Sequence, residues 1–306
     1  MTSALSRLYC GPLEHLTVPT VAATLPDDAM PAETLLEPGV LDELIERYTT
    51  QFKGEDLKAV ASLWSKWHFS QLAAHTLASN LLLERDLPVA LDEMGIYLNE
   101  SGCTHGIALR HEGTPLPSPD AFERFERLLQ GHIAPLIDML GCVSGASPKV
   151  FWSNFGGYFD YFARGAHTHP MGSPDAAEQA LRLLDHRVYP DGRRNPLFMP
   201  VRYLQDDHGE TQRIRRVCCL RYRLDDLAYC GTCPLDDNAL AARAAAKRQN
   251  QNQNQSQNQN QNQNQNQRQS GDTSSVVQSF PAAKDDGERQ ARRPSLRNTA
   301  SRVAAG

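Results

Sequence analysis

Val217-Cys218-Cys219-Leu220-Arg221-Tyr222 and Tyr229-Cys230-Gly231-Thr232-Cys233-Pro234 decide the reading of this chain. Four of its seven cysteines, Cys218, Cys219, Cys230 and Cys233, fall within sixteen residues, spaced Cys-Cys, ten residues, Cys-x-x-Cys. Thiols gathered so densely bind zinc, hold an iron–sulfur cluster or form disulfides. A zinc site usually builds each half from cysteines separated by about two to four residues. Adjacent side chains diverge, so closing both onto one tetrahedral ion strains the backbone. A two-iron cluster offers two metal corners, each wanting two thiolates; an adjacent pair reaches it by a kink or by serving different irons. The spacing favours the cluster and leaves zinc and disulfides open.

Upstream, Pro200–Gln205 and Gln212–Val217 flank Asp206-Asp207-His208-Gly209-Glu210, a hairpin signature whose second strand runs directly into Cys218. Five arginines, Arg213, Arg215, Arg216, Arg221 and Arg223, crowd the first cysteine pair. Strand alternation keeps them from all facing it. Arg221 is the one expected to act on the site. Gly231 is expected to let the backbone wrap the sulfurs with N–H donors. Cys10, Cys103 and Cys142 are isolated and read as ordinary thiols. His167-Thr168-His169 has metal-like spacing but no third ligand nearby and sits beside Pro170 in a loop, so a metal role is not favoured.

The remainder reads as an α+β body, mostly helical, with a small antiparallel sheet and a C-terminal cysteine lobe. Residues 1–37 carry four prolines and form an irregular arm. Leu41, Leu44, Ile45 and Tyr48 lie on one helix face. A longer helix covers about 56–84, with Trp64, Trp67 and Phe69 read as core aromatics. Short runs at Val89–Leu91, Gly95–Asn99 and His105–His111 read as the sheet. A helix over about 120–141, capped by Asp120, should be kinked or divided by Pro135. Ser147-Pro148 starts another, with Trp152, Phe155, Phe159 and Phe162 inward. Ser173-Pro174 opens one more, to about His186.

Residues 249–267 are Gln and Asn, broken only by Ser256. Such a segment cannot bury enough apolar surface to offset its chain entropy, so 241–306 is expected to be a disordered tail. That tail carries ten Lys/Arg against four Asp/Glu, a net of +6, leaving 21 against 32, a net of −11, in residues 1–240. An acidic body repels nucleic acid and anionic membrane. No run is long enough to span a bilayer and no signal peptide is expected, which points to a reducing compartment with free thiols. Neither a Gly-x-Gly-x-x-Gly nor a phosphate-loop motif is present, so no nucleotide or nicotinamide cofactor is expected.

The cysteine run with its intervening Tyr-Cys-Gly-Thr-Cys-Pro resembles the C-terminal motif of the FhuF-type siderophore-iron reductases. Leu63–Phe69 and Phe151–Asn154 are similar to that family's helical landmarks, and the larger region is similar to the C-terminal half of siderophore synthetases. The resemblance covers about residues 40–240. It implies a [2Fe–2S] cluster ligated by Cys218, Cys219, Cys230 and Cys233, in a region 199–240 that follows a helical domain 38–198. It also implies reduction of a ferric siderophore in the cytoplasm or peripherally at the inner membrane, with a hydroxamate-type chelator favoured. Since no hydride-carrier site is visible, the electron should come from a ferredoxin or flavodoxin-like protein. Two rival readings remain: a zinc-stabilised binding module, and a siderophore-binding or synthetase-like protein without redox activity.

Overall fold

The computed structural model describes residues 3–117, 120–205 and 209–237, together with 240, 241, 248 and 253. The expected disordered tail therefore lies almost wholly outside the described residues.

Two helices organise the body. The first, α2 (Leu57–Leu83), begins where the Asp56 carboxylate accepts the Ala59 N–H at 2.9 Å and ends at Glu84 in the left-handed region. It follows α1 (Val40–Thr49), whose Leu41, Leu44, Ile45 and Tyr48 are buried as their spacing predicts. Residues on every side of α2 are buried, so this is a central helix rather than a surface one. Trp64 and Phe69 lie in the core, but Trp67 does not: it is half exposed, and its indole N–H donates to the Tyr48 hydroxyl at 2.9 Å. Position 67 falls on the narrow side of α2 that other elements leave open.

Against α2 runs α5 (Pro148–Gly165), opened by Ser147 and Pro148 as expected. Phe69 meets Phe155 edge-on, with centroids 5.7 Å apart, and Phe155 passes the contact to Phe159. Between them in sequence stand α3 (Glu126–Leu128) and α4 (Ala134–Ser144), joined by a π-helical segment, Leu129–Ile133. Pro135 sits in the first turn of α4, where its missing N–H is tolerated, so the proline does divide the helix. Asp120 caps only a turn, accepting the Phe122 N–H at 2.8 Å. The last helix, α6 (Glu178–Asp185), starts later than Ser173-Pro174 suggests, because residues 174–177 are spent in a turn.

A four-stranded sheet packs on α2. It takes β1 (Thr20–Val21), β2 (Met30–Pro31), β4 (Met94–Leu98) and β5 (Thr104–Leu109), in the order β1-β5-β4-β2. The β2–β4 and β4–β5 pairs are antiparallel, and β1 adds a parallel edge. A second pair joins β3 (Arg85–Asp86) to β6 (Thr114–Pro115). Val89–Leu91 is not a strand. The Val89 carbonyl is taken by the buried ring of His132, whose partner is His68, with Nε2 to Nε2 2.8 Å. The arm before residue 38 supplies both outer strands, and its Leu5, Leu8, Ala32 and Leu35 are buried in the common core.

The hairpin before the cysteines forms as expected, β7 (Val201–Gln205) against β8 (Thr211–Arg215), with Val201 opposite Arg215. Gly156 fixes where it lands on α5. A Cβ there would stand 2.6 Å from the Pro200 Cβ, so a larger residue would push the start of β7 away.

Candidate iron–sulfur centre

Beyond β8 the chain turns at Leu220, a non-glycine residue at φ 62°, and enters a short 3-10 turn, Arg221–Arg223. That turn follows directly on the adjacent cysteines, Cys218 and Cys219. The four sulfurs form two crossed pairs, Cys218 with Cys233 at 4.0 Å and Cys219 with Cys230 at 3.6 Å. Each pair combines one member of the Cys-Cys step with one of the Cys-x-x-Cys step. Two thiolates on one tetrahedral ion, with metal–sulfur bonds of about 2.3 Å, stand about 3.8 Å apart. Both pairs meet that spacing. Among the described residues no group of three or more His, Cys, Asp or Glu side chains gathers closely enough to hold a metal ion. The donor set thus suits two corners of two thiolates better than a single four-thiolate ion.

Backbone N–H groups reach the sulfurs from two residues downstream. Leu220 N–H points to Cys218 Sγ and Leu235 N–H to Cys233 Sγ, both at 3.4 Å, and Thr232 N–H serves Cys230. Gly231 is not what permits this. Its φ is ordinary and a Cβ there would meet nothing within 4 Å. The special backbone belongs to Leu220 instead.

The sulfurs rest on the crossing of α2 and α5 through small polar side chains. Ser62 Oγ donates to the Cys219 carbonyl at 2.8 Å, and Ser153 Oγ to the Val217 carbonyl at 3.1 Å. Asn154 ties the two helices together: its Nδ2 donates to the Ser62 carbonyl at 2.9 Å and to Ser65 Oγ at 3.0 Å. Its Oδ1 accepts from the buried guanidinium of Arg215. The Arg215 N–H in turn donates to the Thr232 carbonyl at 3.0 Å, joining β8 to the second cysteine pair.

Charge follows the same arrangement. Cys219 donates to Cys230, which holds the Cys230 thiol down at about 6; the Thr232 N–H, Arg215 and Lys66 act in the same direction. The proton stays on Cys219, pushed well above the usual thiol range by that bond and by burial. Burial pushes Cys218 up to about 11. Burial also pulls the Lys66 ammonium below its ordinary range, against the attraction of Cys219. Two cations, Lys66 and Arg215, therefore act on the Cys219–Cys230 pair, and Arg221 stands near enough to Lys66 to act on it. The other three arginines are engaged elsewhere: Arg213 with Asp160 at 3.2 Å, Arg223 with Asp56 at 2.7 Å, and Arg216 with the Phe198 carbonyl at 2.7 Å. Arg221 Nε is buried and, among the described residues, has no hydrogen-bond partner, as is Arg215 Nε. Lys66 and Asn154 were not singled out from sequence, because a lysine and an asparagine inside apolar helices carry no pattern that names their target.

The remaining cysteines lie apart from this set, with Cys103 buried, Cys142 exposed and Cys10 near the His169 ring at 3.6 Å. His167 and His169 do not converge on an ion; their rings bond the Arg164 and Leu8 carbonyls.

A body of helices and small sheets that ends in four paired thiols is the outline of an iron–sulfur oxidoreductase. Comparison with known proteins agrees. The family described as "Ferric iron reductase FhuF-like transporter" matches residues 62–211, and "FhuF 2Fe-2S C-terminal domain" matches residues 215–235. A protein of Escherichia coli (strain K12) named "Ferric siderophore reductase" is 26% identical over 221 residues, 69% of this chain and 80% of its own length. The chain belongs to the FhuF-type family of iron reductases, and its cofactor is a [2Fe–2S] cluster. No helix among the described residues is long and apolar enough to cross a membrane.

Proposed function

We propose that this protein reduces the iron of a ferric siderophore in the cytoplasm, and that Cys218, Cys219, Cys230 and Cys233 hold its cluster. The observation that carries the reading is the crossed pairing of the four sulfurs. Cys218 and Cys233 would hold one iron, and Cys219 and Cys230 the other. When bound, the [2Fe–2S] cluster supplies electrons one at a time, and ferric iron takes one to become ferrous. Hard oxygen ligands of the hydroxamate kind suit ferric iron, and the softer ferrous ion is held less well, so the metal leaves an intact chelator. Lys66 and Arg215 offset the negative charge of the thiolates and of the arriving electron, with Arg221 beside Lys66. The electron would come from a ferredoxin or flavodoxin-like protein.

Anaerobic purification, a visible spectrum and assays of iron and sulfide test the ligand set. Replacing any one of Cys218, Cys219, Cys230 or Cys233 by Ser should abolish or destabilise the spectrum, while Cys10, Cys103 and Cys142 tolerate the change. A Cys219→Ser protein with wild-type iron and spectrum would show that the adjacent pair does not both ligate. A colourless protein loaded with zinc would favour a binding module instead.

A further inference from the structure

A cleft of about 610 Å³ ends at Val217, the residue before Cys218 in the chain, and at Ser153, which holds the Val217 carbonyl. Four cations line it: Lys149 in the first turn of α5, Arg187 and Arg194 from the loop after α6, and Arg216 after β8. No carboxylate is among its lining residues, and none of the four cations forms an ion pair among the described residues. Two aromatic rings, Trp152 and Phe198, complete the walls. The guanidinium groups of Arg187 and Arg216 both stack on Phe198, 5.4 and 5.7 Å from its centroid. Such a gathering of like charge opposes its own compactness, and it stands in a body with a net charge of −11 over residues 1–240. A bound anion would relieve it.

A second pocket, about 350 Å³, contrasts with it. That one is walled by Leu13, Ala74, Leu77 and Phe162, and its Arg164 and Arg213 are both paired with Asp160. It offers apolar surface but no unpaired charge, and none of these residues adjoins a cysteine in the chain.

We propose that the cleft ending at Val217 is the seat of the iron substrate, and that it selects ferric chelates of net negative charge. The inference rests on the reductase reading above and adds the substrate class. Three hydroxamates neutralise ferric iron, so a simple hydroxamate complex brings no charge to the cleft. A chelate with catecholate or free carboxylate groups brings several, within reach of Lys149, Arg187, Arg194 and Arg216. Trp152 and Phe198 would lie against its organic frame. The concave shape and the volume, inside the range of about 300–1,000 Å³ usual for small-ligand sites, favour a chelate over an acidic donor protein, which needs a broader face.

A series of probes that differ only in pendant charge decides the matter. Desferrioxamine B with its terminal amine free, acetylated or succinylated gives complexes that are cationic, neutral or anionic around one unchanged metal core. Binding of their redox-inert gallium(III) complexes to the cluster-loaded protein should rank anionic over neutral over cationic, spanning about tenfold and narrowing as salt is added. In Arg187→Gln/Arg194→Gln protein with an unaltered cluster spectrum, the span should fall to about twofold; Lys149→Gln, which carries no packing role, should narrow it less. An equal or inverted ranking in the wild type overturns the proposal. So does a variant that keeps the ranking, or one that loses only affinity for a reduced ferredoxin, which would make the cleft a donor dock. Reduction of the three ferric complexes by dithionite-reduced protein separates the two claims: turnover of all three without preference leaves the reductase standing and removes the selectivity, and no turnover of any removes both.

Discussion

Along α2 and α5, Trp64, Phe69, Phe151, Phe155 and Phe159 are withdrawn from water completely; between Val217 and Leu235 only Cys219, Leu224, Cys233 and Pro234 are buried. The first region is held by apolar contact. The second is held by hydrogen bonds from that body: Ser62 and Ser153 to carbonyls around the first cysteine pair, the Arg215 N–H to Thr232, and the Asp225 N–H to the Lys53 carbonyl at 3.2 Å. Leu224 is its main apolar anchor in the common core. A segment with so little core of its own depends on what it binds and what it leans on. The cysteine lobe should therefore respond to metal loss and to changes in α2 and α5, while the body should be nearly indifferent to the lobe.

The largest test of that asymmetry is a cavity in the body. Phe155→Ala removes a ring that touches both Phe69 and Phe159, and should lower unfolding stability by about 3–5 kcal/mol, read from urea denaturation. Removing the metal by chelation should move the helical far-ultraviolet signal by much less, and an equal loss from both would end the distinction.

Next comes the joint between the regions. Asn154→Ala strips the buried Arg215 of one of its two side-chain oxygen partners, the other being Ser153 Oγ, and leaves Ser65 and Ser62 without the Asn154 donor. It should destabilise the protein by about 2–3 kcal/mol and lower cluster retention, although residue 154 touches no sulfur. Unchanged iron content after anaerobic dialysis would mean that the lobe does not lean on this asparagine.

A pH test bears on the body alone. Burial holds His75 and His132 down at about 4 and His68 well below its ordinary range, next to His132. The unfolded chain takes these protons near pH 6.5, the folded body at His75 and His132 not until near pH 4. Stability is thus full above pH 6.5 and falls as pH drops toward 4, by about 1.4 kcal/mol per pH unit for each histidine. Denaturation at pH 7 and pH 5 should show the slope, and His75→Gln should reduce it by one proton's worth. His75 is the safer target, since its ring bonds Tyr9 and Gln71 and not the His68–His132 pair. The same slope in the variant would refute the assignment.

The smallest effect is on the cluster itself. Arg221→Gln withdraws one cation from the sulfurs and should lower the potential by an amount on the order of 30–60 mV, since the reduced state carries more negative charge. Loading by the donor becomes harder and reduction of substrate does not slow. A redox titration showing an equal or higher potential would place the charge control with Lys66 and Arg215 instead.

Much of this was legible in residues 1–240. Ser147 and Pro148 mark a helix start because one satisfies and the other lacks the N–H groups a helix leaves open. Apolar spacing located α1, α2 and α5, and the turn-rich stretch before Cys218 located the hairpin. Three readings failed for a shared reason. Trp67 was placed in the core, Val89–Leu91 in a strand, and Gly231 in the backbone wrap, each by local pattern. The first two were decided by what lies far away in sequence, the open side of α2 and the His132 ring, and the third by a backbone that makes no demand for a glycine.

By itself the sequence determined which four thiols are brought together and what class of cofactor their spacing admits, because ligand chemistry is written in residue type and interval. The tertiary structure alone decided how they pair and what surrounds them. Cys218 reaches Cys233 and Cys219 reaches Cys230, a crossing that residue type and interval leave open. Lys66 from α2 and Arg215 from β8 arrive beside the second pair across 153 and 15 residues of chain respectively, measured to Cys219 and Cys230. Charge acts through space and not along the chain, so its arrangement could be read only once the helices had crossed.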